Sequence, residues 1–330
     1  MWWCAGILLG PAILAIVAYL AMINVKPRGI RPVPSTTAQT EIQALEARLM
    51  AHVQTLAMTI GERNLSRPRS LQAAADYIRQ VWEGHGFEVR EERLDILAQP
   101  CSNLVIERRG SGQPGSIILV GAHYDTVLGS PGANDNATGV ATLLELSRDL
   151  RREIFGRTVR LAAFVNEEPP YFRTEMMGSA QHARQARKRQ ESIAAMISLE
   201  TLGYYSSANG SQRYPFPFGA FYPRTGNFLG VVGNLSSRGI VVTFLREFMS
   251  VSDFPVEGIA TFEWIPGINW SDHSSFWKEG YPALMLTDTA PFRYPQYHSS
   301  RDLADEINAP QFARAAHGII RTLRRMAGRR

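Results

Sequence analysis

Histidine and acidic side chains recur at the points where short apolar runs of the sequence end. These candidate residues are His123, Asp125, Asp135, Glu167, Glu168, Glu200 and His298. Each one alone has an ordinary structural explanation, since Asp135 could cap a helix and Asp125 could form a turn. As a set they indicate a cation, because several carboxylates buried without one would cost too much free energy. Two imidazoles with several carboxylates suit zinc, and there are enough acids for two ions that share a bridging carboxylate.

The elements that must position these residues follow from the apolar patterns. Short apolar runs, typical of buried strands, occur at 104–106, 117–120, 159–165, 194–199, 228–232 and 283–286. Helical patterns occur at 41–60, 68–83, 137–151, 176–189, 236–250 and 310–326. This alternation predicts an α/β fold with a largely parallel β-sheet covered by helices on both faces. Ligands of such sheets bind at the carboxyl ends of the strands, where the candidate residues lie.

The first residues of the chain carry a separate signal. Residues 2–23 contain no charged side chain and are long enough, as a helix, to cross a hydrocarbon core of roughly 30 Å. We therefore expect a transmembrane anchor at 1–25, a proline-bearing linker at 26–39 and one domain at 40–330 with an irregular loop at about 203–227. A cleaved signal peptide is the alternative, but the run lacks a basic n-region and a clear cleavage site. We expect a single-pass membrane protein with an extracytoplasmic body, although the flanking charges leave the orientation open.

Composition excludes several classes of protein. The net charge of +5 comes from nine cations near the two termini, and residues 32–309 carry a net charge of −4. A mildly acidic body argues against a nucleic-acid surface. With only Cys4 and Cys101 the chain is not a disulfide scaffold. No pattern in the sequence specifies an oligomeric state.

Five separated motifs, in the correct order, resemble those of the zinc-dependent M28 peptidases, the family of the bacterial secreted aminopeptidases. The motifs are His123-Tyr124-Asp125, Asn134-Asp135-Asn136-Ala137-Thr138-Gly139, Asn166-Glu167-Glu168, Ser271-Asp272-His273 and Tyr297-His298. The likeness covers roughly residues 68–326. It implies an α/β fold with a central mixed sheet and a co-catalytic pair of zinc ions.

The resemblance also implies a role for each metal ligand. Asp135 matches the carboxylate that bridges the two ions. His123 and Glu200 match the ligands of one zinc, and Glu168 and His298 match those of the other. The best-known secreted members have aspartate where this chain has Glu200, and the extra methylene changes the reach of the carboxylate. The resemblance implies two zinc ions, and the changed reach of Glu200 gives one ion as the alternative. The family further implies a cis peptide bond after Asp135.

Three more side chains complete the predicted catalytic machinery. Glu167, which matches the family's general base, would take a proton from the attacking water and deliver it to the leaving amine. Asp125 is placed to hold the second N–H of the His123 imidazole. Tyr297 could donate its hydroxyl to the developing oxyanion, and plain packing in the wall of the site is an equal alternative.

The resulting expectation is a membrane-anchored zinc-dependent exopeptidase, an aminopeptidase acting on the N-terminal residues of peptides. Its predicted partners are a peptide substrate and the membrane, without nucleic acid. A glutaminyl cyclase is the first alternative, but cyclases tend to carry Asp-Ser and Trp-His where this chain has Asp135-Asn136 and Tyr297-His298. A catalytically inactive receptor or scaffold is the second, and the intact set of metal-competent side chains argues against it.

Overall fold

The computed structural model describes residues 17, 19–30, 38–96, 98–151 and 153–328. Within these residues one sheet of eight strands has the order β1-β2-β4-β3-β5-β8-β6-β7. The strands are β1 (Arg90–Ile96), β2 (Gln99–Arg108), β3 (Gln113–His123), β4 (Arg157–Phe164), β5 (Ser192–Glu200), β6 (Leu229–Asn234), β7 (Val256–Thr261) and β8 (Ala283–Thr287). The parallel pairs are β4–β3, β3–β5, β5–β8 and β6–β7. The antiparallel pairs are β1–β2, β2–β4 and β6–β8. The predicted mixed, largely parallel sheet is confirmed.

Helices cover both faces of this sheet. They are α1 (Ala38–Val53), α2 (Pro68–Gly84), α3 (Thr138–Leu150), α4 (Gly178–Lys188), α5 (Arg238–Val251), α6 (His273–Lys278), α7 (Ala290–Arg293) and α8 (Ala309–Met326). Successive residues of a strand point to opposite faces. Accordingly Ile118 and Val120 of β3 enter a core built with α1, α2, α3, α5 and α8, whereas Ile117 and Leu119 enter a second core that includes residues of α4 and α6.

The segment 203–227 is irregular, as the sequence predicts. Its described helical content is one 3₁₀ turn at Phe218–Ala220. The segment packs on the sheet through aromatic side chains: the Tyr222 hydroxyl donates to the Gly258 carbonyl of β7 at 2.9 Å, and the rings of Tyr214 and Tyr222 stack with centroids 5.7 Å apart. It therefore forms a wall over the β6–β7 end of the sheet.

In the residues that the structure describes, the transmembrane helix predicted over residues 2–23 is contradicted. In the described part of the chain, no helix combines the length and the apolar character needed to cross a membrane. Residues 2–16 and 18 of that predicted span, and residues 31–37 of the predicted linker, lie outside the described residues. The described end of the span is a π-helical turn, Tyr19–Ile23, and Met22 and Ile23 pack against the second core. The domain boundaries and the extracytoplasmic location of the body stay predictions.

Candidate metal centre

Three adjacent parallel strands deliver most of the candidate side chains to one edge of the sheet. His123 is the last residue of β3 and Glu200 the last residue of β5, and these strands are direct neighbours. β4 lies on the other side of β3, and Glu167 and Glu168 follow shortly after it ends at Phe164. The strand ends therefore meet as parallel topology requires.

Asp135 reaches the same place from the turn at Ala133–Ala137, just ahead of α3. The Asp135–Asn136 peptide bond is cis, as the family resemblance implies. The Asn136 side chain ties this turn to β5: its Nδ2 donates to the Leu199 carbonyl at 2.8 Å, and its Oδ1 accepts from the Gly139 amide at 3.1 Å. The position of Asp135 relative to Glu200 is thus set by hydrogen bonds.

Asp135 lies between two groups of side chains, with one carboxylate oxygen toward each. Its Oδ1 is 3.3 Å from His123 Nε2, which is 3.2 Å from Glu200 Oε2. Its Oδ2 is 3.1 Å from His298 Nε2, which is 3.3 Å from Glu168 Oε2. In each of the two groups the candidate ligand atoms lie within 4.8 Å of one another. All five predicted metal ligands are brought together.

The donor set fits a cation. His123 Nε2, Asp135 Oδ1 and Glu168 Oε1 are buried without a hydrogen-bond partner. Such orphaned polar atoms are rare in folded proteins because leaving them unpaired costs free energy. Imidazole nitrogens and carboxylate oxygens are ordinary zinc ligands, and the arrangement accommodates one ion or two about Asp135. The His298 side chain is 31% exposed, so the site opens to solvent on that side.

Electrostatics at the site favour positive charge. Burial would lower the pKa of His298, but hydrogen bonds to Asp135 and Glu168 raise it to about 10. Burial lowers the pKa of His123 in the same way, and the charges of Glu200 and Glu167 reverse the effect and raise it well above its usual value. Both shifts arise because the carboxylates concentrate negative charge at this point, which favours a bound cation.

Glu167 and Asp125 lie beside the ligand cluster. Glu167 Oε2 is 3.9 Å from His123 Nε2, and burial raises the pKa of Glu167 well above its usual value. Asp125 Oδ1 is 3.7 Å from His123 Nδ1, too long for a hydrogen bond, and the Asp125 carbonyl is the nearer oxygen at 3.3 Å. Its carboxylate instead accepts the backbone N–H groups of Glu167 and Glu168, each at 3.1 Å. Asp125 thus orients the turn that carries both glutamates.

Tyr297 forms part of the wall of the site. Its ring stacks on His298 with centroids 3.8 Å apart. Burial, together with the charges of Asp135 and Glu168, raises the pKa of Tyr297 well above its usual value, so its hydroxyl keeps its proton. Both predicted roles, donor and packing partner, are compatible with this position.

Comparison with known proteins supports the resemblance seen in the motifs. A family model described as peptidase family M28 matches residues 103–323. The chain belongs to peptidase family M28. It is 36% identical over 320 residues to the uncharacterized protein YfbL of Escherichia coli strain K12, a match that covers 94% of this chain and 96% of YfbL. It is 28% identical over 226 residues to leucine aminopeptidase 1 of Aspergillus niger, covering 64% of this chain and 52% of the fungal protein.

Two solved structures show how widely this M28 fold is used. The zinc aminopeptidase BSAP of Bacillus subtilis has a TM-score of 0.66 at 14% identity, with 86% of this chain and 95% of BSAP covered. The glutaminyl cyclase of Fimbriiglobus ruber has a TM-score of 0.62 at 17% identity, with 90% and 97% covered. At such identities the likeness shows the fold alone. Peptidase and cyclase chemistry must therefore be distinguished by the site.

Two buried residues that support this M28 site have no signal in the sequence. The Asp302 carboxylate accepts the backbone N–H groups of Asn134 at 2.8 Å and Asp135 at 3.1 Å. Arg63 donates to the carbonyls of Tyr124 at 2.7 Å and Gly132 at 2.9 Å. Burial lowers the pKa of Arg63 to about 10, and the charge of Asp302 partly offsets this. Together, Asp302 and Arg63 hold in place the backbone segments that carry the predicted ligands.

Proposed function

We propose that this protein is a zinc-dependent aminopeptidase that hydrolyses the N-terminal residue from peptides. The observation that carries the proposal is the position of Asp135, with one carboxylate oxygen directed at His123 and the other at His298. Membership of peptidase family M28 and the zinc expected for such peptidases support it. The aminopeptidase activity itself goes beyond the family assignment.

In this proposal the ligand cluster would hold zinc in two groups that share Asp135. His123 and Glu200 complete one group, and Glu168 and His298 complete the other. Zinc held there supplies a Lewis acid that polarises the scissile carbonyl and lowers the pKa of the attacking water.

Glu167 is proposed as the general base. It is buried, lies next to the ligand Glu168, and has its carboxylate 3.9 Å from the imidazole of His123. A carboxylate in this position can accept the proton of the attacking water and return it to the amine that leaves. Tyr297, which keeps its proton, can donate a hydrogen bond to the oxygen on which negative charge develops.

Glu167→Gln tests the proposal. The amide has the same shape but cannot accept the proton, so we expect turnover of aminoacyl substrates to fall by roughly 10²-fold or more. Zinc content, measured by metal analysis, should stay at the level of the unaltered protein. Glu83→Gln, an exposed substitution on α2, is the matched control and should change neither quantity. Full activity of Glu167→Gln with zinc still bound would contradict the assignment.

A panel of substrates separates aminopeptidase activity from the alternatives. Release of N-terminal residues supports the proposal. Cyclisation of N-terminal glutamine without peptide hydrolysis would indicate the cyclase chemistry of the F. ruber structural relative. Zinc binding without turnover of either kind would indicate an inactive relative.

A further inference from the structure

A row of four residues leads from the candidate metal centre across the sheet. Glu200 of β5 pairs with Thr287 of β8, Thr287 pairs with Gly230 of β6, and Gly230 pairs with Glu257 of β7. Residues paired directly on neighbouring strands present their side chains on the same face. With strands about 4.8 Å apart, the α-carbons of Glu200 and Glu257 are about 14 Å from each other.

This row is the floor of a cavity that all four residues line. Gly230 has no side chain, and the methyl groups of Thr287 and Thr289 lie close to it, so the floor between the two glutamates is low and apolar. Aromatic and aliphatic side chains form the walls, among them Phe218, Tyr222 and Ile259. The cavity adjoins the metal centre because Glu200 and Tyr297 line both.

Glu257 is the exceptional residue in this apolar surrounding. Of the described residues that line the cavity, only Glu200 and Glu257 carry a charge, and Glu257 lies at the end remote from the ligand cluster. Its carboxylate is 2.9 Å from the ammonium of Lys26, a residue outside the cavity lining, so this carboxylate is accessible to a cation. The Lys26 side chain is 41% exposed, and an exposed ion pair of this kind contributes little stability. A competing cation can therefore displace Lys26.

We propose that the cavity binds the side chain of the N-terminal residue of the peptide and that Glu257 makes it selective for lysine and arginine. This inference rests on the proposed aminopeptidase function. A lysine or arginine side chain extends about 6 Å or more from its α-carbon, and a glutamate about 4 Å. A long basic side chain that enters from the metal centre therefore extends toward Glu257, whereas alanine or leucine would end short of it. The apolar walls suit the methylene stem of a long basic side chain.

The test is the specificity of Glu257→Gln, which keeps the shape of the side chain and removes its charge. We expect the unaltered protein to release arginine and lysine from aminoacyl-4-nitroanilides with higher kcat/KM than leucine or alanine. In Glu257→Gln, kcat/KM for the basic residues should fall roughly 10- to 100-fold, the scale of a lost hydrogen bond to a charged group. The values for leucine and alanine should not change, because Glu257 touches neither.

Two further variants sharpen the result. Lys26→Ala removes the competing cation and should lower KM for arginine. Glu263→Gln alters a glutamate of the neighbouring loop that hydrogen-bonds Asn234 rather than lining the cavity, and it should change nothing.

The outcomes separate this inference from the proposed function. Hydrolysis with a preference for leucine that Glu257→Gln leaves unaltered would overturn the basic specificity and leave the aminopeptidase proposal intact. Absence of hydrolysis with every aminoacyl substrate would contradict the proposed function. Calorimetric binding of argininamide and leucinamide decides the specificity without turnover, and equal affinities for the two would overturn it.

Discussion

Ser271→Ala should weaken one zinc-binding step selectively. The Ser271 hydroxyl is fully buried and donates to Glu200 Oε2 at 2.6 Å. The same carboxylate oxygen is 3.2 Å from His123 Nε2, so this hydrogen bond fixes Glu200 toward its group of ligands. Ser271 Oγ is also 3.1 Å from Ser198 Oγ. Substitution by alanine leaves Glu200 free to turn away from His123.

The size of the effect follows from this geometry. A hydrogen bond to a charged group contributes about 1.5–3 kcal/mol. Residues that orient metal ligands typically change metal affinity by about 10- to 100-fold when they are removed. We therefore expect the zinc dissociation constant of the step that uses Glu200 to rise within that range. The step that uses Glu168 and His298 should be unchanged because Ser271 donates to neither.

Zinc titration of metal-free protein by calorimetry measures both steps. Ser147→Ala is the matched control, since Ser147 is equally buried but donates to the Leu144 carbonyl within α3. In a Glu200→Ala background, Ser271→Ala should have no further effect. The reasoning fails if Ser271→Ala alters both steps equally, alters neither, or still weakens binding when Glu200 is already absent.

Two other substitutions give contrasting results. Asp302→Asn places an amide group against the backbone N–H groups of the turn that carries Asp135. Because Asp135 faces both ligand groups, zinc titration should show weaker binding in both steps. An effect on one step alone would contradict this reasoning. Glu145→Gln tests a buried ion pair away from the site: burial opposes ionisation, but hydrogen bonds from His52 and Arg48 lower the pKa of Glu145 to about 2. A folded pKa below the unfolded value stabilises the protein above about pH 5, and this contribution disappears as the pH falls through 2. Urea unfolding should show Glu145→Gln less stable by about 2–3 kcal/mol at pH 7, with the difference shrinking toward pH 3, whereas a difference that does not depend on pH would contradict the cause.

The periodicity of the sequence predicts the central strands and the long helices because burial of each element leaves a local pattern. Edge strands leave a weaker one. β1, Arg90–Ile96, has the sequence REERLDI, and its charged side chains conceal a strand that only pairing with β2 reveals. β7, Val256–Thr261, is short and interrupted by Gly258, and it is not among the strands that the apolar runs predict. Such strands form because a neighbouring strand supplies hydrogen bonds, which no local pattern encodes.

The predicted metal ligands were accessible from sequence because each follows a recognisable strand or motif. Their supporting contacts were not. Asp302 is distant in sequence from Asp135, and Arg63 donates to backbone carbonyls, whose positions depend only on the folded chain. The C-terminal end of the apolar run at 2–23 shows a second limit of prediction from sequence. Hydropathy measures the transfer of a side chain out of water and does not distinguish a membrane from a protein core, so only the tertiary structure revealed that Met22 and Ile23 pack against this protein's own sheet.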